Sequence, residues 1–373
     1  MSEPRFQEGV IASHAPYLPK EAKKRPLSLG EGNTPLLHLK RLPAMHGIEF
    51  EVYVKYEGLN PTGSFKDRGM AVAVSCALAR GAAAVACAST GNTSASAAAY
   101  AARAGLKCVV LLPKGKVAAG KLAQAHAHGA QVITVRGDFD HAMRAVKELG
   151  DEIEIVNSVN PMRIQGQKTI AFETVAQLGG APDLHALPVG NAGNITAHWI
   201  GYSEWAAEPT PGACAWCGGS CDFLHERPAD EQRARPRLLG VQAAGAAPFI
   251  AGAPVEGAET VATAIRIGAP QSWDQAQAAV AESKGWFTSV TDEEILAMQR
   301  DLAAVEGIFC EPASAASVAG LAKHAKAGKL AGVKTAVCTL TGHGLKDPDA
   351  VAAQPAAEAD SDPAAIAAAI KAL

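Results

Sequence analysis

The segment Pro61-Thr62-Gly63-Ser64-Phe65-Lys66-Asp67-Arg68-Gly69 places a lysine where a helix opens. The Pro-Thr-Gly turn followed by Ser64 reads as a loop closing into a helix, with Ser64 as its N-cap. Lys66 and Arg68 then occupy the first helical turn, where the macrodipole is positive and cations are disfavoured. That positive end and the neighbouring guanidinium both favour the neutral amine, so Lys66 should deprotonate more easily and be more nucleophilic. Such an amine can capture a carbonyl as a Schiff base. The plain alternative is a lysine in a surface turn, with Asp67 paired to a nearby cation.

Three strand-end loops carry further chemistry. Ser89-Thr90-Gly91-Asn92-Thr93 gathers hydroxyls, an amide and free backbone N–H groups at a helix start, which suits a carboxylate or phosphate. An ordinary capping loop would use the same residue types. Gly190-Asn191-Ala192-Gly193-Asn194 follows an apolar run, Leu184–Val189, and precedes a helix running to Trp205. Its two glycines let backbone wrap a phosphate at a helix N-terminus, and the plain alternative is a Gly-rich turn. It has neither the Gly-Lys-Ser/Thr ending of a nucleotide P-loop nor the three-glycine Rossmann spacing. Thr341-Gly342-His343-Gly344 follows the strand Thr335–Cys338, and its glycines should leave the Thr341 hydroxyl accessible, although a β-turn with a solvated His343 fits equally.

Arg163, in Asn157-Ser158-Val159-Asn160-Pro161-Met162-Arg163, stands just past a strand end and near a helix start. A guanidinium there can grip an oxyanion in bidentate fashion, although a surface ion pair is the usual fate of a lone arginine. A phosphate cup, an activated lysine and a second anion site together point to pyridoxal phosphate acting on an anionic amino acid.

The elements that must position these groups alternate between strand and helix from about residue 50 to 345. Strands are expected at Phe50–Tyr56, Val85–Ala88, Val109–Leu112, Val132–Val135, Ile153–Val156, Leu184–Val189 and Leu238–Gln242. Helices are expected from the lysine segment through Ala79, and over Ser94–Arg103, Gly120–His128, Phe139–Leu149 and Gly166–Leu178. This rhythm implies an α/β fold of parallel sheets covered by helices, with ligands beyond the carboxyl ends of the strands.

At 373 residues, 48% apolar and 19% charged, the chain fits a well-buried globular enzyme in two lobes. A net charge of -3 and the lack of a basic stripe argue against a nucleic-acid partner. No apolar run suggests a signal peptide or a membrane span, so the expectation is a soluble cytoplasmic protein. Of eight cysteines, Cys76, Cys87, Cys108, Cys310 and Cys338 read as small buried hydrophobes. The other three stand with a histidine as Cys214, Cys217, Cys221 and His225, a weak candidate zinc cluster of non-standard spacing that a CxxC redox pair or exposed thiols would fit as well; no metal is otherwise expected.

Glu31-Gly32-Asn33-Thr34-Pro35-Leu36, the Lys66 segment, Ser89–Ser96, Asn157–Thr169, Gly190–Asn194, Glu311-Pro312-Ala313-Ser314 and Thr341–Pro348 together resemble the threonine synthases. These belong to the tryptophan-synthase-β-like, fold type II group of pyridoxal-phosphate enzymes. The resemblance runs from Glu31 to Pro348, and Gly-Asn-Ala-Gly-Asn combined with Thr-Gly-His-Gly-Leu-Lys-Asp-Pro is its most specific part. It implies a two-lobed open parallel-sheet fold with pyridoxal 5'-phosphate in the cleft between lobes. Residues 1–57 and 156–347 would form a large lobe bearing an insertion at 208–237, residues 58–155 a small mobile lobe, and 348–373 a peripheral tail.

The same resemblance implies that Lys66 holds the cofactor and acts as acid and base. Asn92 would bond the ring hydroxyl, Thr341 the pyridine nitrogen, and Gly190, Asn191, Ala192, Gly193 and Asn194 the phosphate. Ser89, Thr90 and Thr93 would take the substrate carboxylate, while Asn157 and Arg163 would hold the substrate's own phosphate. The implied reaction converts O-phospho-L-homoserine and water to L-threonine and phosphate, in a homodimer. Two other readings are a threonine/serine dehydratase or β-replacement enzyme of the same fold, and a non-catalytic relative that only binds the cofactor. The 208–237 insertion exceeds the family's usual connection and is expected to be peripheral.

Overall fold

A computed structural model describes residues 8–372 apart from 90, 115–118, 137–151, 159, 207–232 and 351–359. The expected helix Phe139–Leu149, Thr90, and the Cys214, Cys217, Cys221 and His225 cluster lie outside the described residues.

Among the described residues, ten strands form two sheets. β1 (Leu36–His38), β2 (Glu51–Tyr56), β7 (Leu184–Pro188), β8 (Arg237–Ala243), β9 (Trp286–Val290) and β10 (Thr335–Leu340) make a six-stranded sheet in the order β1-β2-β10-β7-β8-β9. β3 (Ala84–Cys87), β4 (Lys107–Pro113), β5 (Gln131–Val135) and β6 (Ile153–Ile155) make a four-stranded sheet in the order β5-β4-β3-β6. Every pairing is parallel except β1 with β2. Parallel strands need covered faces, and β3 and β7 are accordingly buried along their whole length. Apolar residues of β2, β7, β8 and β10 pack with the Pro312–Lys326 helix in one core, and a second core joins the small sheet to the helices Lys66–Arg80 and Asn92–Ala104. The five described cysteines are buried free thiols.

Helix ends follow local chemistry. Lys66–Arg80 stops at Gly81 and Asn92–Ala104 at Gly105, both with positive φ, as left-handed C-caps require. The N-cap expectation for Ser64 holds only in part: its Oγ accepts from the Lys66 N–H at 3.4 Å, but the cap position falls one residue later. The helix begins at Lys66 behind Phe65, which caps nothing with its side chain. Ser64 and Phe65 instead spend their backbone on the Thr341 loop: Ser64 bridges Gly342, and the Phe65 N–H donates to the Thr341 carbonyl at 3.0 Å.

The expected helix Gly166–Leu178 is two helices, Pro161–Gln167 and Thr169–Leu178. The first starts earlier because Asn160 Oδ1 accepts from the Met162 N–H at 2.9 Å, with Pro161 pre-set at the first helical position. It crosses the Lys66–Arg80 helix with backbone against backbone. A Cβ on Gly166 would lie 2.0 Å from the Arg68 carbonyl oxygen, and one on Gly69 would lie 2.7 Å from that of Arg163. These two glycines therefore set the spacing between Lys66 and Arg163. Gly166→Ala is expected to destabilise the fold by about 3 kcal/mol, at the upper end for overpacking, because rigid backbone must retreat. An unchanged melting temperature would show that the crossing is slack.

Candidate active site

The loops that follow β3, β6, β7 and β10 converge on a cavity of about 780 Å³. Its wall includes Lys66, Ser89, Asn92, Thr93, Asn157, Arg163, Gly190, Asn191, Ala192, Gly193, Asn194, Glu311 and Thr341. These loops leave the carboxyl ends of parallel strands, where α/β sheets place their ligands. Lys66, Pro188 and Thr341 are remote from one another in sequence, and they share this wall because both sheets point these ends at one space.

Lys66 lies at the start of its helix with Nζ 4.2 Å from the Phe65 ring centroid. Burial is the main cause lowering its pKa to about 7 from the ordinary 10.5, and the Arg163 guanidinium lowers it further, while Glu311 opposes both. The neighbouring guanidinium is thus Arg163, and the sequence expectation that named Arg68 is corrected. Arg68 is fully buried and faces away into an ion cluster, donating to Glu57 at 2.6 and 2.8 Å and to Glu173 at 2.6 Å twice. Asp67 pairs with no cation among the described residues either. It accepts from the Thr62 N–H, the Thr62 hydroxyl and the Ser96 hydroxyl at 2.6–2.7 Å, and burial pushes its carboxyl up to about 6.

Arg163 is fully buried, with Nη1 donating to the Val156 carbonyl at 3.1 Å. Its Nε and Nη2 find no acceptor among the described residues, and burial lowers its pKa to about 10. Beside it, Asn157 Oδ1 accepts from the Ala88 N–H at 2.8 Å, which pins the end of β6 to the end of β3. Ser89 Oγ accepts from the Gly91 N–H at 3.2 Å and closes the turn into the Asn92 helix.

In the Gly-rich loop Ala192 has φ +66, a left-handed conformation costing a non-glycine residue about 1–2 kcal/mol. Such strain persists where surroundings dictate it and often marks a functional turn. Asn194 follows in the first turn of the Gly193–Ala206 helix, and neither atom of its buried side-chain amide has a partner among the described residues.

Thr341 is buried, contrary to the accessible hydroxyl expected from its glycines. Its Oγ1 lies 3.0 Å from Ser314 Oγ and 3.2 Å from Glu311 Oε1. The glycine beside it serves a close approach, since a Cβ on Gly342 would lie 2.6 Å from the Glu311 carboxyl. Asn92 Nδ2 donates to the other Glu311 oxygen at 3.0 Å, so one carboxylate spans both residues expected to meet the cofactor ring. Burial raises the Glu311 pKa, opposed by the hydrogen bond from Asn92 and by Lys346. Glu311, Ser314 and Lys346 are not among the expected site residues. The only signal was their place in the Glu311–Ser314 and Thr341–Pro348 motifs, because Glu311 meets Asn92 and Thr341, Ser314 meets Thr341, and Lys346 meets Thr62 and Gln124 through long-range contacts.

Among the described residues, the lining contains four basic side chains, Lys66, Arg163, Arg266 and Lys346, and a single acidic one, Glu311. A cavity so unbalanced suits anionic ligands. The chain matches the family described as "Pyridoxal-phosphate dependent enzyme" over residues 27–342. The chain belongs to this family.

Among relatives in that family, threonine synthase of Mycobacterium leprae is 55% identical over 344 residues, covering 91% of this chain and 89% of its own length. Threonine synthase of Synechocystis sp. is 52% identical over 343 residues, covering 91% and 84%. Among solved structures, serine racemase from Dictyostelium discoideum superposes with a TM-score of 0.68 at 20% identity, over 91% of this chain and 99% of that one. The processed form of threonine deaminase isoform 2 from Solanum lycopersicum gives 0.67 at 19% identity, over 92% of each chain. At such identities these two establish the fold, which is fold type II.

The cavity fits the family's cofactor on its own evidence. It offers a lysine whose pKa is lowered to about 7, a strained loop at a helix N-terminus, and a buried Asn194 amide whose hydrogen-bonding atoms await a ligand. Among the described residues no group of His, Cys, Asp and Glu could hold a metal ion, and no helix is long and apolar enough to cross a membrane.

Proposed function

We propose that the chain converts O-phospho-L-homoserine and water to L-threonine and phosphate. The observation that carries this reading is Arg163, a fully buried guanidinium in the cavity wall with two nitrogens lacking acceptors among the described residues. A buried charge so placed demands an anionic partner. The Gly190–Asn194 loop already supplies a cup for the cofactor's phosphate, so Arg163 is left for a second one. A dehydratase or racemase handling unphosphorylated amino acids has no such group to bind.

Pyridoxal phosphate, when bound, supplies a carbonyl for amines and an electron sink beside Cα. The chain's own groups do the remaining work. Lys66 holds the cofactor, yields to the substrate amine, and its free amine then takes the Cα proton and later returns it. Ser89 and Thr93, with Thr90, seat the substrate carboxylate at the start of the Asn92 helix. Arg163 and Asn157 hold the phosphate as it leaves Cγ, and Asn92, Thr341 and Glu311 orient the cofactor ring. In balance, Cβ loses a proton and gains hydroxide from water, while Cγ loses phosphate and gains a proton. Residues 58–155 act as a small lobe whose closure on 1–57 and 156–347 excludes water until phosphate has gone. The enzyme is taken to be a cytoplasmic homodimer without nucleic-acid partners.

The deciding assay follows inorganic phosphate and threonine appearing in equal amounts from O-phospho-L-homoserine, against 2-oxobutanoate formed from threonine. Formation of 2-oxobutanoate as the faster reaction would move the chain to the dehydratases. Arg163→Met should lower kcat/KM for the phosphorylated substrate by about 100-fold, the worth of a charge-assisted hydrogen bond. Cofactor binding should survive that change. A kcat/KM unaffected in Arg163→Met would remove Arg163 from substrate recognition.

A further inference from the structure

Behind the Gly-rich loop lies a row of buried polar side chains that the reaction does not use. His185 on β7, Thr339 on β10, and His198 and Tyr202 one turn apart on the Gly193–Ala206 helix are all fully buried. Their contacts form a line: Tyr202 hydroxyl to His185 Nδ1 at 2.7 Å, and His185 Nε2 to Thr339 Oγ1 at 2.8 Å. It continues from Thr339 Oγ1 to His198 Nε2 at 3.1 Å, and from His198 Nδ1 to the Asn194 carbonyl at 2.8 Å. The last partner belongs to the cup itself.

The end of the line decides the direction of every bond. A carbonyl can only accept, so His198 carries its proton on Nδ1. Burial keeps both imidazoles neutral, lowering His198 to about 4 and His185 well below the ordinary histidine range. His198 Nε2 must then accept, and the Thr339 hydroxyl spends its one proton there. Thr339 in turn accepts from His185 Nε2–H, and His185 Nδ1 accepts from Tyr202. Along this line each proton then has one acceptor; Tyr202 also meets Thr174, whose own hydroxyl proton goes to the Ile170 carbonyl at 2.8 Å.

We infer that Tyr202, His185, Thr339 and His198 form a relay of fixed polarity that positions the Asn194 turn of the phosphate cup. The relay ties that turn to the central strands β7 and β10, so the cup is rigid before its ligand arrives. This inference rests on the Gly190–Asn194 loop being the cofactor's phosphate site. Thr339 is the hinge, because it alone is both acceptor and donor between the two imidazoles. These four are positioning residues, since none lines the cavity.

The test has two independent readings. Nitrogen NMR of protein labelled in its histidine rings should show His198 as the Nδ1–H tautomer and His185 as the Nε2–H tautomer. Any other pair of tautomers overturns the relay, whatever the loop binds. In titrations of cofactor-free protein, Thr339→Val should bind pyridoxal phosphate about tenfold more weakly, as expected when two buried groups lose their partners. It should bind pyridoxal, which lacks the phosphate, with unchanged affinity, and Thr339→Ser should restore wild-type binding of both. Equal weakening toward both compounds, or none, overturns the positioning role. If the wild type binds the two compounds equally well, the cup assignment fails first, and the relay's function fails with it while its tautomers stand.

Discussion

Lys66→Ala should lower turnover of O-phospho-L-homoserine by about 10,000-fold or more, since under the proposed function it removes both the group that holds the cofactor and the proton carrier at Cα. Borohydride reduction should add the mass of the reduced cofactor to the wild-type chain at Lys66 and leave the variant unlabelled. Labelling that persists at another lysine would displace Lys66 from its role. The wild type should also show a particular pH dependence. With its pKa lowered to about 7 by burial and by Arg163, the amine is mainly neutral above that pH. Capture of pyridoxal phosphate should therefore accelerate as pH rises to about 7 and then level, whereas an ordinary lysine would keep gaining toward 10.5. In the cofactor-free protein the unfolded chain retains this proton up to its ordinary pKa while the folded chain releases it near 7. Stability should then rise with pH across that window.

The second large effect falls on stability. Arg68 and Lys55 face Glu57 and Glu173 in a buried cluster of balanced charge, with Lys55 Nζ donating to Glu173 at 2.8 Å and to the Thr34 carbonyl at 2.6 Å. Burial alone would push both carboxyls up, but Arg68 outweighs it and holds them below the ordinary carboxylate range. Arg68→Met keeps much of the volume and deletes one charge, leaving two carboxylates to share Lys55. The expected loss is about 3–5 kcal/mol, read as a lower denaturant midpoint and melting temperature. The double variant Arg68→Met, Glu57→Gln should recover part of that loss by restoring neutrality. A single variant as stable as the wild type would show that water reaches the cluster.

The contrast between these two cations shows what the residue order made legible. Lys66 and Arg68 stand two positions apart, and their placement in a first helical turn follows from the Pro-Thr-Gly loop and the Gly81 stop. The alternation of strands and helices was legible for the same reason: periodicity and Gly or Asn punctuation are local properties. Parallel sheets follow from that alternation, and with them the carboxyl-end site. The Gly190–Asn194 loop could be read as an anion cup because a helix N-terminus is also local.

Which guanidinium faces the amine was not legible. Arg68 belongs to the ion cluster and Arg163 to the cavity because two helices cross at Gly69 and Gly166, a contact between residues distant in sequence. Glu311 was missed on the same ground, since its carboxylate matters only once β10 brings Thr341 against the helix that begins at Pro312. Nothing in the neighbours of Ser64 announces the Thr341 loop that claims its backbone. Sequence by itself determined the elements and the placing of Lys66 and the Gly190–Asn194 loop at helix starts, all set by nearest neighbours along the chain. The tertiary structure decided which charges meet, and hence the Lys66 pKa, because burial and Coulomb interactions depend on distance through space.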